Sequence, residues 1–495
     1  KKPVTLDNLD KENAAFFISE FIEEFDPKDI EPVMGRLSNF KPPEKPGIFP
    51  AIIYKNNRNF FSHISEDIRF HLDPIINFDY KRIAADSVDG KKNLYRYTNG
   101  FRIRGNFGKN LGFYADYRNT KEWGKSYPKD FVISLDGLGF VNGYGKHIYH
   151  DETIAYLVGG FPLFEIEIGK NINKWGPGRH GNLSLSDNAT SYDQIKFKTK
   201  FWRFKFTSVT GFLRSYPTIT QENTVKQNDQ EYSREMHSKK YLAGHRLEIA
   251  VSDNFDAGIT EVVIYGDRGL EFTYLNPIMF YRSAEHYLGD MDNATMSVDF
   301  SWNFVKGYKI YGEFFLDDIF ISRIGSKWYG NKFAYLGGIF ITNPLKLKNS
   351  ELLFEYARVK PFVYTHHYPI NVFKHFSTPL GYFTGPNAED YYLLFTRYFS
   401  RESKISFEYE LKRHGKNYTD KNIGGDLNLG HQWEDPTQVG FLEGIVETTQ
   451  SFRFNFTYDI FRHYYLSVSF GREIYKIEKK KINSSIFQAG FSINY

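Results

Sequence analysis

Every second residue is large and apolar in Met296-Ser-Val-Asp-Phe-Ser-Trp-Asn-Phe304, and the residues between them are small or polar. Side chains of a β-strand point alternately to its two faces, so a period of two predicts a strand with one apolar and one polar face.

The same alternation continues along most of the chain from about Ile68. It is clear in Ile405–Leu411 and Phe452–Tyr458, and it recurs in Leu111–Tyr117, Leu247–Val251, Leu352–Tyr356 and Leu466–Phe470. Within Lys196–Phe206 the phase slips between Phe201 and Trp202, which predicts a bulge or a strand end. Helical crossover patterns between the strands are missing from the sequence, which excludes an α/β fold.

Two classes of all-β protein fit this pattern, a soluble sandwich and a transmembrane barrel. The 495 residues include 48 Phe, 36 Tyr and 6 Trp, yet charged residues make up 25% and the mean hydropathy is −0.49. Barrels place aromatic residues in girdles at both membrane interfaces and polar residues in the lumen and loops. We therefore predict an all-β, antiparallel transmembrane barrel. The roughly 430 residues after the N-terminal segment, at about 24 residues per strand and connection, suggest about 18 strands.

The two ends of the chain differ from each other. Residues 1–66 have apolar residues at helical spacing, such as Phe17, Phe21 and Phe25, and we predict an N-terminal helical and linker segment on the periplasmic side. Residues 67–495 form the predicted barrel with its extracellular loops. The last strand ends on Tyr495, like the assembly signal of bacterial outer-membrane barrels. Because the chain starts at Lys1, we expect a mature outer-membrane protein whose signal peptide has been removed.

Three long polar gaps interrupt the alternation, namely Asn171–Asp193, Ser215–Lys240 and His414–Gln438. Barrels of this kind have short periplasmic turns and longer extracellular loops. We therefore predict that these gaps are extracellular loops.

Several functional classes are excluded or disfavoured by the sequence. The 63 Lys and Arg nearly balance the 59 Asp and Glu, so a nucleic-acid partner is not expected. The chain has no Cys, which excludes disulfides and thiolate metal sites. Gly176–Gly181 matches GxGxxG but precedes no helix start, which argues against a dinucleotide site. The oxygen-rich Gly289–Asn293 predicts a turn rather than a calcium loop. Ser and His are not paired locally as in a hydrolase, so we expect no catalysis, cofactor or metal.

One polar segment suggests binding. Asn173-Lys-Trp-Gly-Pro-Gly-Arg-His-Gly-Asn182 combines an indole ring with Arg and His in a glycine-rich turn. A ring can stack on the C–H face of a sugar while Arg, His and Asn side chains hydrogen-bond its hydroxyls. The other interpretation is a structural turn whose Trp175 lies in the membrane-interface belt. The residues alone leave both open.

The same segment resembles a known family. Trp175–Gly178 and Gly181–Ala189 look like the central motif of the Wzi-like capsule-assembly outer-membrane proteins. Tyr274–Glu285 and Leu288–Ala294 resemble a second signature, which belongs to the Bacteroidota-like branch of that family. Further similar blocks follow in order, within a resemblance that covers roughly residues 54 to 400: Tyr311–Asp318, Gly330–Phe333, Glu355–Pro361 and Pro379–Gly381.

This resemblance implies an 18-stranded barrel with periplasmic N-terminal helices and a largely obstructed lumen. It also implies a non-enzymatic, lectin-like role at the cell surface. The expected partners are capsular or extracellular polysaccharide, outer-membrane lipid or lipopolysaccharide, and other outer-membrane proteins. The predicted polysaccharide-binding residues are Trp175, Arg179, His180, Asn182, Tyr281, Arg282 and Glu285. The alternative function is a structural barrel subunit of an outer-membrane assembly, secretion or gliding complex.

Overall fold

The computed structural model describes residues 59–86, 91–124, 142–144, 147–227, 230–461 and 463–494. Its main sheet has 20 strands, each paired in antiparallel fashion with its neighbours. Two of them, Phe61–Ile64 and Asn142–Tyr144, are short additions at the sheet margin, which leaves 20 − 2 = 18 wall strands. The last wall strand pairs with the first, from Ile75 opposite Asn494 to Ala85 opposite Ser484. The sheet is therefore a closed barrel, and the predicted fold and strand number are confirmed.

The strands are numbered in chain order, with β16 and β17 forming a separate small hairpin. Their bounds are β1 Phe61–Ile64, β2 Ile68–Ala85, β3 Lys91–Phe107, β4 Leu111–Gly124, β5 Asn142–Tyr144, β6 His147–Gly160, β7 Phe164–Asn171, β8 Tyr192–Phe201, β9 Phe204–Gln227, β10 Gln230–Ser252, β11 Phe255–Gly266, β12 Asn293–Val305, β13 Tyr308–Asp318, β14 Lys332–Thr342, β15 Ser350–Val359, β16 Lys374–His375, β17 Thr378–Pro379, β18 Ala388–Tyr398, β19 Ser403–Lys416, β20 Ile445–Phe461, β21 Tyr464–Ile477 and β22 Lys480–Asn494.

The helices are short. They are α1 Phe272–Leu275, α2 Tyr281–Tyr287 and three single turns of 3₁₀-helix at Ile321–Arg323, Pro344–Lys346 and Pro369–Asn371. Among the described residues, none of the helices has the length and apolar character needed to span a membrane.

The two faces of the wall differ as the alternation predicts. Outward side chains such as Phe300, Phe407 and Phe470 are exposed and apolar. Inward side chains include Asp299, which is buried and accepts a hydrogen bond from Arg246 at 2.5 Å. An apolar outer band with charged side chains on the inner face is the arrangement of a barrel in lipid.

The two ends of the barrel have connections of different length. At one end, here the short-turn end, neighbouring strands are joined by tight turns, as between Phe201 and Phe204, where Trp202 has a φ of 49°. This confirms the predicted strand end. At the opposite, long-loop end lie residues 172–191, 267–292, 360–387 and 417–444.

The predicted loops have different outcomes. The gaps Asn171–Asp193 and His414–Gln438 lie largely in long-end loops, as predicted. The predicted loop Ser215–Lys240 is wrong, because β9 runs to Gln227 and β10 begins at Gln230 with antiparallel pairing along both. Polar residues are tolerated in this hairpin because strand pairing satisfies its backbone without apolar side chains.

Two of the long-end loops fold into the barrel. Residues 172–191, here the plug loop, and residues 360–387, here the second lumen loop, pack together through Leu183, Tyr364 and Tyr382. They share a core with inward residues of the wall, including Leu242 and Leu336. This core fills the side of the lumen next to β8–β15, and the side next to β2–β6 and β19–β20 stays open.

A third loop packs on the outside of the wall. Residues 267–292, here the flap, contain α1 and α2 and bury Tyr274 and Tyr281 against Ala243 and Val263. These wall residues have the opposite parity from the inward Leu242 and Val262, so they face outward. The flap and the plug loop therefore lie on opposite sides of the same wall.

The start of the described chain adds a short strand to the closing seam. β1 pairs with β2 from Phe61 opposite Leu72 to Ile64 opposite Arg69, in line with β22 and beyond its end. The carboxylate of Asp73 accepts hydrogen bonds from Asn59 Nδ2 at 2.8 Å and Phe60 N at 2.7 Å. The predicted helix around Phe17–Phe25 and the terminal Tyr495 lie outside the described residues, and the division at residue 66 stays a prediction.

Candidate functional site

Glutamates of the wall hold the plug loop in the lumen. On β13, the Glu313 carboxylate accepts hydrogen bonds from Leu183 N at 2.8 Å, Ser184 N at 2.9 Å and the Ser184 hydroxyl. Glu313 is buried, so these bonds replace the water that a carboxylate otherwise needs.

A second glutamate holds the tip of the loop. On β15, Glu355 accepts hydrogen bonds from the backbone N–H groups of Arg179, His180 and Gly181 at 2.9–3.3 Å, and from the Tyr311 hydroxyl at 2.6 Å. The loop is thus fixed through its main chain, which leaves its side chains available for other contacts.

The glycines of the plug loop permit this close approach. Gly176 has a φ of 128°, and a Cβ there would lie 2.5 Å from Asn182 Oδ1 and 2.7 Å from Glu313 Oε2. A Cβ on Gly178 would lie 1.8 Å from the carbonyl oxygen of Gly181. The GxGxxG spacing therefore serves a tight turn against a wall carboxylate.

The open side of the lumen is a cavity of about 1660 Å³. Its lining combines charges of both signs with hydroxyl groups: Arg96, Arg118, Lys412, Arg413, Asp116, Glu152, Glu410, Glu447, Thr98, Thr120 and Thr190. Asp116 is held between Arg102 at 2.9 Å and Arg118 at 2.7 Å. Such fixed, paired donors and acceptors suit a hydroxyl-rich ligand.

His180 projects from the plug loop to the edge of this cavity. Its Nε2 lies 3.1 Å from Glu410 Oε1 and 3.3 Å from Asp390 Oδ2, and its ring stacks on Tyr392 with centroids 3.7 Å apart. Burial opposes the charged imidazole, but the hydrogen bonds and negative charges of both carboxylates raise the pKa of His180 to about 9.

Within the described part of the chain, His180, Asp390 and Glu410 bring three potential metal ligands within 4.8 Å of one another. The raised pKa of His180 keeps its imidazole protonated at neutral pH, so it forms ion pairs with both carboxylates. The arrangement is therefore an ion-pair triad that ties the plug loop to β18 and β19.

One aromatic ring lines the cavity beside this triad. Phe383, in the second lumen loop, has its ring centroid 5.1 Å from that of His180 and 4.6 Å from that of Tyr382, and Lys412 Nζ lies 5.5 Å from its centroid. The ring is half-buried, so one part of it faces the open space.

The structure divides the residues predicted to bind polysaccharide into two groups. Four lie in the plug loop inside the lumen, and Tyr281, Arg282 and Glu285 lie in the flap outside the wall. The wall separates the two groups, so the seven do not form one site.

Of the plug-loop group, His180 lines the cavity. Trp175 is buried in the lumen core, where it packs on Gly244, and Asn182 is buried with its Oδ1 accepting from Gly178 N at 2.8 Å. Arg179 is exposed and its guanidinium lies 3.6 Å from the ring centroid of Phe340.

The flap group is held together by its own contacts. Arg282 pairs with Glu285 at 2.6 Å, and Tyr281 is fully buried. Burial raises the pKa of Glu285 to about 7 although Arg282 favours its charged form. In the Gly289–Asn293 turn, Asp290 lies 3.5 Å from Arg282, and Asp292 pairs with Arg268 at 2.5 Å, which agrees with the predicted turn.

Sequence reasoning missed the residues that position the site. Glu313 and Glu355 lie within the family-like blocks Tyr311–Asp318 and Glu355–Pro361, and both are buried carboxylates next to an aromatic residue in the chain. That combination was a usable signal. Phe383 gave no signal, because a single Phe in a long loop is not distinctive.

Comparison with known proteins gives a family and a fold. A family model described as capsule assembly protein Wzi matches residues 94–485. The solved structure of Wzi from Escherichia coli, described as an outer-membrane protein involved in group 1 capsule assembly and a carbohydrate-binding β-barrel, is 12% identical, with a TM-score of 0.52 and 84% of each chain covered.

Two other solved barrels align less closely. Acinetobacter baumannii OccAB2 is 11% identical, with a TM-score of 0.45 and 85% of this chain and 97% of that chain covered. Pseudomonas aeruginosa OpdK with vanillate is 8% identical, with a TM-score of 0.47 and coverages of 86% and 99%. A comparison with curated protein sequences finds no match.

Proposed function

Because this chain belongs to the Wzi family of capsule assembly proteins and is a bacterial outer-membrane β-barrel, we propose that it binds polysaccharide and holds it at the cell surface without catalysis. The observation that carries the proposal is the lumen cavity between the plug loop and the walls of β2–β6 and β19–β20. It lies towards the long-loop end, which in such barrels faces the outside of the cell.

The lining supports a carbohydrate ligand. Charges of both signs and several threonine hydroxyls offer donors and acceptors in fixed positions, whereas a strongly acidic ligand would require an excess of cations. The Escherichia coli relative is described as carbohydrate-binding, which is consistent with the same ligand class here.

Within the cavity, we assign the sugar-stacking role to Phe383 and a hydrogen-bonding role to His180. Phe383 offers a half-buried ring, and the Glu410 and Asp390 carboxylates hold the His180 imidazole in place. Trp175 and Asn182 support the plug loop from beneath, and Arg179 faces another part of the lumen. Tyr281, Arg282 and Glu285 form a separate surface on the flap.

The experiment compares carbohydrate that copurifies with the barrel from native membranes. Phe383→Ala should retain about tenfold less carbohydrate, because loss of one stacking ring costs on the order of 1.4 kcal/mol. Phe407→Ala is the matched control, since it removes an equivalent ring from the lipid-facing side of β19. Equal retention by both variants, or no carbohydrate on the wild type, would contradict the proposal. Recovery of stoichiometric proteins instead would favour the structural-subunit alternative.

A further inference from the structure

The outer wall carries a row of polar side chains on three neighbouring strands. Ser208 on β9 is opposite His245 on β10, which is opposite Glu261 on β11. They share the outward parity of the exposed Leu247 and Ile259. His245 Nε2 lies 3.0 Å from Glu261 Oε2, so the row includes a paired carboxylate on the side of the wall that faces lipid.

The same row is apolar on both sides of this interruption. Phe197 is opposite Ser208, and Met296 and then Leu316 follow Glu261 across β12 and β13. Glu261 lies six positions after Phe255, the first residue of β11 (261 − 255 = 6). Phe314 lies six positions after Tyr308, the first residue of β13 (314 − 308 = 6), and its ring is exposed. At the same distance from the start of the strand, β13 therefore has the lipid-facing ring of Phe314 and β11 has the carboxylate of Glu261.

The flap covers this interruption. The Glu261 carboxylate accepts hydrogen bonds from Tyr281 N at 2.9 Å and Arg282 N at 2.8 Å, and the Tyr281 ring lies 4.4 Å from that of His245. Glu261 is consequently buried, although it projects from the outer face. A bare carboxylate in the lipid-facing band would be costly, and the flap removes that cost by satisfying both of its oxygens.

The other side of the flap is apolar and uncovered. Phe272, Ile278 and Tyr287 are 87–91% exposed, and four more large apolar side chains are at least one-third exposed: Leu270, Leu275, Phe280 and Met291. A cluster of this size is unusual on a surface that meets water, and it marks a contact with another apolar phase.

Part of the flap backbone is also suited to an apolar surrounding. Ten of its amides are hydrogen-bonded within the flap or to Glu261, namely those of residues 274, 275, 278, 279, 281, 282, 284, 288, 289 and 290. Non-strand backbone is tolerated near lipid only when its polar groups are satisfied in this way.

We propose that the outer side of the flap is a lipid-contact surface, in which Phe272, Ile278, Phe280 and Tyr287 insert among lipid acyl chains at the outer-leaflet boundary. Lipid is the expected contact because the flap lies on the lipid-facing wall, between apolar positions of β8 and β12 that belong to the same apolar band. The flap thus restores the apolar band over the polar row, in the manner of an interfacial helix.

The absence of Cys from the sequence makes a direct test possible. Ile278→Cys and Phe272→Cys are each labelled with a nitroxide in the full chain, reconstituted in vesicles of phosphatidylcholine and phosphatidylglycerol. Collision rates with oxygen, which concentrates in lipid, are compared with those of a water-soluble nickel chelate. Val298→Cys on the outer wall is the lipid control, and Trp433→Cys, in the loop before β20, is the water control.

Both flap labels should match the Val298 control. Their oxygen-to-nickel ratio should exceed that at Trp433 by about tenfold or more, as expected for side chains placed in the acyl region. A ratio equal to that at Trp433 would overturn the proposal, since the flap would then face water. Low collision rates with both agents would also overturn it, because a second copy or another protein would be covering the flap.

Discussion

The plug loop and the flap use the same attachment on opposite sides of one wall. Each leaves the barrel at the long-loop end, and each presents backbone N–H groups to wall glutamates. Inside, Glu313 and Glu355 bind the plug loop. Outside, Glu261 binds the start of α2 in the flap. The anchor chemistry therefore does not determine which side a loop occupies.

The difference between the two loops is in the side chains they expose. The plug loop turns His180 and Asp187 towards the polar cavity. The flap turns Phe272, Ile278 and Tyr287 away from the wall. Each loop buries the side chains that contact the wall. Its other side is polar where it borders the lumen cavity and apolar where it lies outside the barrel.

The largest effect is expected from removing an inner anchor. Glu313→Ala leaves Leu183 N and Ser184 N buried without an acceptor, so the free energy of unfolding should fall by about 3 kcal/mol or more. The loosened plug loop should also raise the conductance of the barrel in planar bilayers.

Glu165→Ala is the control for this change, because Glu165 on β7 is half-exposed and lies 4.0 Å from Lys198 without holding the plug loop. Equal stability and conductance in the two variants would show that Glu313 is not an anchor, and the parallel with the flap would fail.

A rise in pH should weaken the attachment of the plug loop. The pKa of His180 is raised from 6.5 to about 9, so its ion pairs contribute stability that is fully present below about pH 6.5 and is lost as pH rises through about 9. The loss should reach about 2 kcal/mol, measured as a lower thermal midpoint at about pH 10 than at pH 7.

His180→Gln should remove most of the midpoint change between these pH values, because Gln has no titrating charge. An unchanged pH profile in this variant would show that another group causes the loss.

A smaller and local effect is expected outside. Glu261→Ala removes the acceptor for Tyr281 N and Arg282 N. The free energy that holds the flap closed should therefore fall by about 1–2 kcal/mol. Hydrogen exchange at these two amides measures the opening. Glu248→Ala is the control, since Glu248 on β10 pairs with Lys205 at 2.8 Å and does not contact the flap. Faster exchange in both variants alike would argue against a specific anchor.

The wall of the barrel was predictable because its signal is local. Alternation in segments such as Met296–Phe304 is read from neighbouring residues, and strand pairing then follows from the tight turns. The predicted loop Ser215–Lys240 failed for the same reason, since polarity suggested a loop where backbone pairing maintains two strands.

The site was less predictable because it depends on distant contacts. Ser184 and its anchor Glu313 are 129 residues apart in the chain. The sequence places Trp175 and Tyr281 each in a family-like motif, but nothing local states that one loop enters the lumen and the other folds outside. One sign was present: His245 and Glu261 occur in the apolar phase of their strands, and a polar residue in that phase needs a cover.

The short strand β1 has a consequence for how the barrel finds its register. A β-strand can pair with its neighbour in several positions two residues apart without exchanging its faces. β22 ends with Asn494 opposite Ile75, and β1 already occupies β2 from Leu72 onwards, fastened by Asp73. When the first and last strands meet, β1 therefore limits how far the last strand can slide. The register of the closing seam, and with it the circumference of the barrel, is therefore limited by β1.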